Sequence, residues 1–159
     1  ITLAYIGDGN NVCHSLLYAC AKTGINMHVA SPKGYEPDAK VFAAARQIAR
    51  AQHKQIRLFH EPGQAALLAD VFYTDVWASM GQEREALLRK KAFKGFQIND
   101  LLLKKAKRGA LVMHCLPAHR GEEITASVID SQNSIVFDQA ENRMHVQKAI
   151  LIKLMGNKR

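Results

Sequence analysis

Three polar residues stand where their side chains could do chemistry. Asp75 ends an apolar run and could either cap a turn or receive a cationic group of a ligand. Cys115 also ends such a run, and a cysteine there is either a small buried hydrophobe or a functional thiol. Arg143 could simply form an ion pair at a helix start or belong to a ligand site. These residue types alone predict a small-molecule site of unspecified chemistry.

The glycines near the start of the chain suggest a nucleotide-binding turn that the neighbouring residues do not complete. Gly7 and Gly9 fit the first two positions of a dinucleotide fingerprint, but Val12 stands at the third. No acidic residue ends the second predicted strand, where it would bind a ribose. We therefore expect a tight turn here, with Asn10 or Asn11 capping the following helix.

The histidines and cysteines predict neither a metal centre nor a disulfide framework. His114, Cys115 and His119 match no zinc-binding spacing and lack a candidate fourth ligand, so we expect no metal and no cofactor. Cys13 and Cys20 lie on one predicted helix and are expected in the core. Three cysteines are too few and too scattered for a paired framework, so reduced thiols are expected.

Apolar runs alternate with helical periodicities along the whole chain. The runs predict strands at residues 3–6, 27–30, 56–59, 71–74, 111–114 and 135–137. The periodic segments predict helices at residues 11–23, 38–52, 83–93, 100–107 and 144–155, with a short one after Pro62. This alternation indicates an α/β fold, a three-layer, mostly parallel Rossmann-like sheet with helices on both faces.

Five polar segments follow predicted strands, and in such a sheet they should share one edge. Ligands bind beyond the carboxyl ends of parallel strands, so this edge is where we expect the site. The segments are residues 7–11, 31–37, 75–81, 114–120 and 138–143.

The composition is that of a globular domain without a membrane segment. Hydrophobic residues make up 48% and charged residues 23% of the chain, which excludes disordered and low-complexity classes. No apolar stretch is long enough to cross a bilayer, so we expect a cytoplasmic protein with no membrane partner. The net charge of +8 favours an anionic partner. The basic runs at residues 89–94 and 104–108 lie on predicted helices and indicate solvated faces, so no nucleic acid partner is expected.

Two features suggest that the chain is part of a longer protein. It begins at Ile1, directly before a predicted strand, and the helix at residues 144–155 carries apolar residues on more than one side. We expect one domain over residues 1–159, with that helix buried on more than one side and partly covered by an absent domain.

Five motifs occur in an order that resembles a known family. They are Gly-Asp-Gly-Asn-Asn at 7–11, Pro-Lys-Gly-Tyr-Glu-Pro at 32–37, Asp-x-Trp-x-Ser-Met-Gly at 75–81, His-Cys-Leu-Pro at 114–117 and Phe-Asp-x-Ala-Glu-Asn-Arg at 137–143. Together they resemble the ornithine carbamoyltransferases, over their second, amino-acid-binding domain. Cys115 and the Ser-Met-Gly segment favour ornithine over aspartate as substrate, and leave open a related amine such as acetylornithine or putrescine.

The resemblance implies transfer of a carbamoyl group from carbamoyl phosphate to L-ornithine, which gives L-citrulline in arginine biosynthesis. It places Asn11 as a donor to the ornithine carboxylate. It assigns Asp75 and Ser79 to the α-ammonium, and it assigns the backbone of Met80 to the chain of the amino acid. Buried partners of this kind reject analogues that lack a matching polar group.

The resemblance also implies which residues face the reacting atoms. Cys115 would lie beside the δ-amine, orient it and accept or relay its proton, since the amine attacks only when neutral. The backbone carbonyl of Leu116 would accept from the carbamoyl NH2, in an X-Pro turn that the family pattern implies to be cis. Arg143 would reach the carbamoyl oxygen, where negative charge grows during the reaction.

One family feature has no counterpart in the sequence. The family binds carbamoyl phosphate mainly through a Ser-Thr-Arg-Thr-Arg segment of its first domain, and no such run occurs in this chain. The resemblance therefore implies a missing N-terminal domain, a homotrimer for the full-length protein and an inactive isolated chain. The alternative is a free-standing amino-acid-binding or regulatory module without catalysis.

Overall fold

The computed structural model describes residues 1–78 and 85–156. Within them, five strands form one parallel sheet in the order β3-β2-β1-β4-β5. The strands are β1 (Thr2–Ile6), β2 (Asn26–Ala30), β3 (Ile56–Phe59), β4 (Val71–Thr74) and β5 (Leu111–His114). The helices are α1 (Asn11–Thr23), α2 (Ala39–Ala51), α3 (Pro62–Ala66), α4 (Ala86–Ala92), α5 (Asp100–Leu103), α6 (Ala126–Ile129) and α7 (Val136–Met155).

Each face of the sheet is covered by its own group of helices, because the strands bury side chains on both faces. In β1, Leu3 and Tyr5 point into one apolar core, which they share with residues of α1 and α2. Ala4 and Ile6 point into the other core, which α3, α5 and α6 complete. The expected three-layer α/β fold is confirmed, and Cys13 and Cys20 lie in the first core as expected.

Helix α1 begins and ends at the residues that the sequence marks. The Asn10 side chain accepts hydrogen bonds from the backbone N–H groups of Val12 and Cys13, which would otherwise lack a partner at the helix start. Gly24 adopts φ 74°, and its N–H donates to the carbonyl of Cys20. The cap fixes Asn10 at the carboxyl end of β1, where its amide group reaches the neighbouring loops.

The expected strand at residues 135–137 is wrong, because helix α7 already begins at Val136. Ile135 donates one backbone hydrogen bond to Val112, and Asn133 accepts one from the same residue, so the pairing with β5 ends after a single isolated bridge. Three apolar residues are too few to distinguish a strand from the first turn of a buried helix. Residues 138–143 therefore lie on α7 and do not follow a strand.

Helix α7 is also less buried than its apolar sequence predicts. Of its residues only Val136 is buried, while side chains such as Leu151 (55% exposed) and Leu154 (77% exposed) contact solvent. No described element covers the helix beyond its first turns, so its burial on more than one side is not found within this chain. In the described part of the chain, no helix has both the length and the apolar character needed to cross a membrane.

Candidate functional site

The carboxyl edge of the sheet brings together the loops after β1, β4 and β5. The chain runs from β1 outward through β2 and β3, and then returns to place β4 on the other side of β1. The strand order reverses between β1 and β4, which is where ligands bind in open α/β sheets. The loops after β1, β2, β4 and β5 lie at this edge as expected.

Asp75 is the centre of a small polar cluster at this reversal. Its side chain is 7% exposed, and its Oδ2 accepts a hydrogen bond of 2.7 Å from Asn10 Nδ2. Its Oδ1 accepts from the Val76 backbone N–H at 2.8 Å and from Cys115 Sγ at 2.9 Å. All three donors are neutral, so none of these contacts supplies a positive charge to Asp75.

Cys115 acts as a hydrogen-bond donor in this cluster. Burial raises the pKa of the thiol to about 12, and the hydrogen bond to Asp75 adds to the effect. The sulfur is therefore protonated at neutral pH and can accept a proton only as it releases its own. The geometry fits an orienting thiol that relays a proton to Asp75 and does not fit a thiolate nucleophile.

The loop after β1 presents Asn10, and not Asn11, to the cluster. Besides its bonds to Asp75 and to the helix, the Asn10 side chain accepts from the Tyr5 hydroxyl at 3.2 Å. Asn11 is the first residue of α1 and is exposed, so a ligand can reach it. Its side chain forms no hydrogen bond to the cluster within the described residues. A side chain at position 9 would collide with the backbone of the 31–37 segment, which explains Gly9.

The turn that carries Leu116 is held by a buried His–Glu pair. His114 Nδ1 accepts from the Leu116 backbone N–H at 2.8 Å, so its Nε2 carries the proton that is donated to Glu123 Oε1 at 3.0 Å. Glu123 also accepts from the backbone N–H of His119. The Leu116–Pro117 bond is cis, as the family pattern implies. Among the described residues, no group of three or more His, Cys, Asp and Glu side chains could hold a metal ion.

The structure does not bring Arg143 into this cluster. Arg143 is exposed on α7 and lines an open cavity of about 520 Å³. Gln139, one turn earlier, accepts from the His114 N–H and donates to the Tyr73 hydroxyl, which anchors the start of α7 at the ends of β4 and β5. Ser79 and Met80 lie outside the described residues.

Sequence reasoning missed two charged residues beside the cluster. Asp8 and Arg89 form an ion pair of 2.8 Å, and both are 7% exposed. Arg89 belongs to a basic run that was expected to be solvated, and that expectation is wrong for this residue. Its position four residues before the buried Phe93 is the signal that could have placed it on the inner face of the helix.

Comparisons with known proteins agree with this geometry. The family model described as "Aspartate/ornithine carbamoyltransferase, Asp/Orn binding domain" matches residues 1–154. The ornithine carbamoyltransferase of Thermococcus kodakarensis is 58% identical over 156 residues, which cover 98% of this chain and 50% of that protein. An anabolic ornithine carbamoyltransferase of Pyrococcus furiosus is 56% identical over the same length and is likewise half covered.

Solved structures give the same match. Ornithine carbamoyltransferase from Pyrococcus furiosus aligns with a TM-score of 0.94 and 55% identity, over all of this chain and 51% of that one. The enzyme of that name from Gloeobacter violaceus aligns with a TM-score of 0.89 and 47% identity, over 98% of this chain and 52% of that one. The chain spans about half the length of the relatives it matches. It belongs to the aspartate/ornithine carbamoyltransferase family, whose Asp/Orn binding domain it matches over residues 1–154.

Proposed function

We propose that this chain is the amino-acid-binding domain of an ornithine carbamoyltransferase, which converts carbamoyl phosphate and L-ornithine to L-citrulline and phosphate. The observation that carries the proposal is the buried Asp75 carboxylate beside the Cys115 thiol. The donors that hold this carboxylate within residues 1–78 and 85–156 are all neutral. This pair offers one negative charge and one relay group to a substrate with two amines. The names of the similar proteins support the same reaction.

In the proposed complex, each polar group of ornithine meets a residue of matching chemistry. The α-carboxylate accepts from Asn11, and the α-ammonium binds Asp75 with Ser79. The Met80 backbone holds the aliphatic chain, and Cys115 lies beside the δ-amine. The cluster around Asp75 supports this arrangement, because Oδ1 faces the thiol while Oδ2 faces the loop after β1.

The transfer itself needs no covalent enzyme intermediate. The lone pair of the neutral δ-nitrogen forms a bond to the carbamoyl carbon, the bond from that carbon to the phosphate oxygen breaks, and phosphate leaves with the electron pair. The extra proton on nitrogen passes to Cys115 Sγ as the thiol proton moves to Asp75 Oδ1. The Leu116 carbonyl orients the carbamoyl NH2, and Arg143 stabilises charge on the carbamoyl oxygen.

The same proposal includes what lies outside this chain. An N-terminal domain would hold the phosphate group of carbamoyl phosphate, and the complete protein would form a homotrimer in the cytoplasm. The relatives' doubled length and the exposed apolar face of α7 support a further domain. Arg143 would then work at the junction of the two domains.

The experiment that tests this function compares the complete protein with the 159-residue chain. We expect the complete protein to form citrulline from carbamoyl phosphate and L-ornithine, and the isolated chain to form none at equal concentration. Acetylornithine and putrescine are assayed in parallel as alternative acceptors. Preference for either of these, or ornithine binding without turnover by the complete protein, would contradict the proposal.

A further inference from the structure

Arg89 on α4 forms a buried ion pair beside the proposed amino-acid site. Its Nη1 donates to Asp8 Oδ2 at 2.8 Å and to the carbonyl of Trp77 at 3.0 Å. Its Nε donates to Glu85, one turn earlier on the same helix, at 3.3 Å. One side chain thus joins α4 to the loop after β1 and to the loop after β4.

A third loop packs on the same guanidinium. The carbon at the centre of the Arg89 guanidinium lies 5.0 Å from the centroid of the Tyr35 ring, in the segment after β2. The backbone carbonyl of Tyr35 accepts from the Gly9 N–H at 2.9 Å, one residue beyond Asp8. Contacts with three loops therefore fix the position of the Arg89 guanidinium, in contrast to the mobile charge of a surface side chain.

Two buried carboxylates share this edge, and their partners differ in charge. Asp8 has a guanidinium, whereas the partners of Asp75 among the described residues are an amide, a backbone N–H and a thiol. Burial raises the pKa of Asp8, Arg89 opposes that rise, and Asp75 lies close enough to add to it. Without the guanidinium, the cluster would hold two neighbouring negative charges out of water, which is unfavourable.

We propose that Arg89 is a positioning residue for the amino-acid substrate, because it neutralises Asp8 and leaves Asp75 as the carboxylate of this cluster that receives the substrate ammonium. This inference rests on the proposed function. Arg89 touches no substrate in this arrangement and acts through the charge of Asp8. Removing the charge of Arg89 or of Asp8 alone changes the electrostatic potential at Asp75. Removing both charges restores the net charge around Asp75.

The test is a charge cycle in the complete protein, with four variants: Arg89→Gln, Asp8→Asn, the double variant, and Lys91→Gln. Lys91 is exposed on the same helix and serves as a control of equal charge. We expect each single change at the pair to raise the KM for ornithine at least about tenfold, because Arg89→Gln leaves a second carboxylate and Asp8→Asn leaves a competing cation. The double variant should return to within about threefold of wild type.

The control and the other substrate separate this role from a loss of folding. The KM for carbamoyl phosphate and the KM of Lys91→Gln for ornithine should stay within about twofold of wild type. Single variants that keep the wild-type KM for ornithine would overturn the inference, and so would a double variant as impaired as the weaker single one.

A second measurement is independent of the substrate. The carboxyl titration of Asp8, followed by 13C NMR, should move to higher pH in Arg89→Gln and stay in place in Lys91→Gln, because Arg89 is the strongest influence that lowers the pKa of Asp8 against burial. If the wild-type protein does not use ornithine, the proposed function fails and this titration still decides the ion-pair role. An Asp8 titration that does not move in Arg89→Gln would overturn the inference.

Discussion

The loops after β1, β4 and β5 bury polar side chains that form hydrogen bonds within this chain, whereas helix α7 leaves most of its apolar side chains exposed. In the loops, Asp75, Asp8 and Glu123 are buried. Their hydrogen-bond donors lie in the loop after β1, on α4 and at the end of β5, in that order. Along α7, only the first residue is buried and apolar side chains face solvent as far as Met155. The polar cluster around Asp75, which we propose as the amino-acid half of the site, is therefore preformed by this chain, while α7 has a surface that the described residues do not cover.

The largest effect that would test the preformed half is on Asp75. Asp75→Asn in the complete protein removes the charge that the proposed ammonium needs, so we expect a loss of about 3–5 kcal/mol in ornithine binding, on the order of more than 100-fold in KM. Asp70→Asn is the matched control, because Asp70 stands at the other end of β4 and pairs with Lys107 near the surface. An ornithine KM that is unchanged in Asp75→Asn would remove the role assigned to this carboxylate.

The next effect is on stability, at the buried pair behind the Leu116 turn. Glu123→Ala leaves the His114 Nε2–H and the His119 N–H without their acceptor. We therefore expect the free energy of unfolding, measured in urea, to fall by about 3 kcal/mol. Glu122→Ala is the control, since its ion pair with Lys90 lies near the surface and should contribute less than about 1 kcal/mol. Equal losses in the two variants would show that the turn is not held by the buried pair.

A smaller effect concerns the reactivity of Cys115. Because its pKa is about 12, alkylation of the wild-type thiol should rise about tenfold per pH unit through pH 10 without a plateau. Asp75→Asn removes the negative charge that adds to the effect of burial on this pKa, so alkylation at pH 8 should become about tenfold faster. Cys115→Ser measures any background from the buried Cys13 and Cys20. A plateau below pH 9 in the wild-type chain would contradict a protonated, donating thiol.

The smallest effect is expected on α7, and it sharpens the contrast between the two regions. Leu154→Gln should change the unfolding free energy of the isolated chain by less than about 0.5 kcal/mol, because this side chain is 77% exposed. Val136→Ala, at the buried start of the same helix, should cost about 2 kcal/mol. If a further domain covers α7, Leu154→Gln should destabilise the complete protein clearly more than the isolated chain. Equal effects in both would argue against such a cover.

The strands at residues 56–59, 71–74 and 111–114 agree residue for residue with the prediction, because a short, mostly apolar run between turn signals is typical of a buried strand in a parallel sheet. The error at residues 135–137 has the opposite cause. There the apolar run is also short, and it continues into a helix. Only the pairing with β5 shows where the strand-like contact stops. Local sequence patterns predict the bounds of a strand or helix well when turn residues mark both of its ends.

The sequence predicted some residues of the candidate site and missed others. Asp75 and Cys115 were singled out from their positions after strands, and the structure joins them by a hydrogen bond. The choice between Asn10 and Asn11 could not be made from spacing, because either amide can cap a helix that starts here. Arg89 looked like one of several surface cations, and only the packing of α4 against the loops turned it inward.

The sequence by itself determined the alternation of strands and helices, the α/β class, the edge of the sheet that carries the polar loops and the family resemblance. These follow from local periodicity and from motifs a few residues long, which need no knowledge of distant contacts. The tertiary structure alone decided which carboxylates are neutralised and which keeps its charge. Asp8 and Arg89 are 81 residues apart, and Asp75 and Cys115 are 40 apart. Electrostatic partners depend on distance in space and on burial, and neither can be read from positions along the chain.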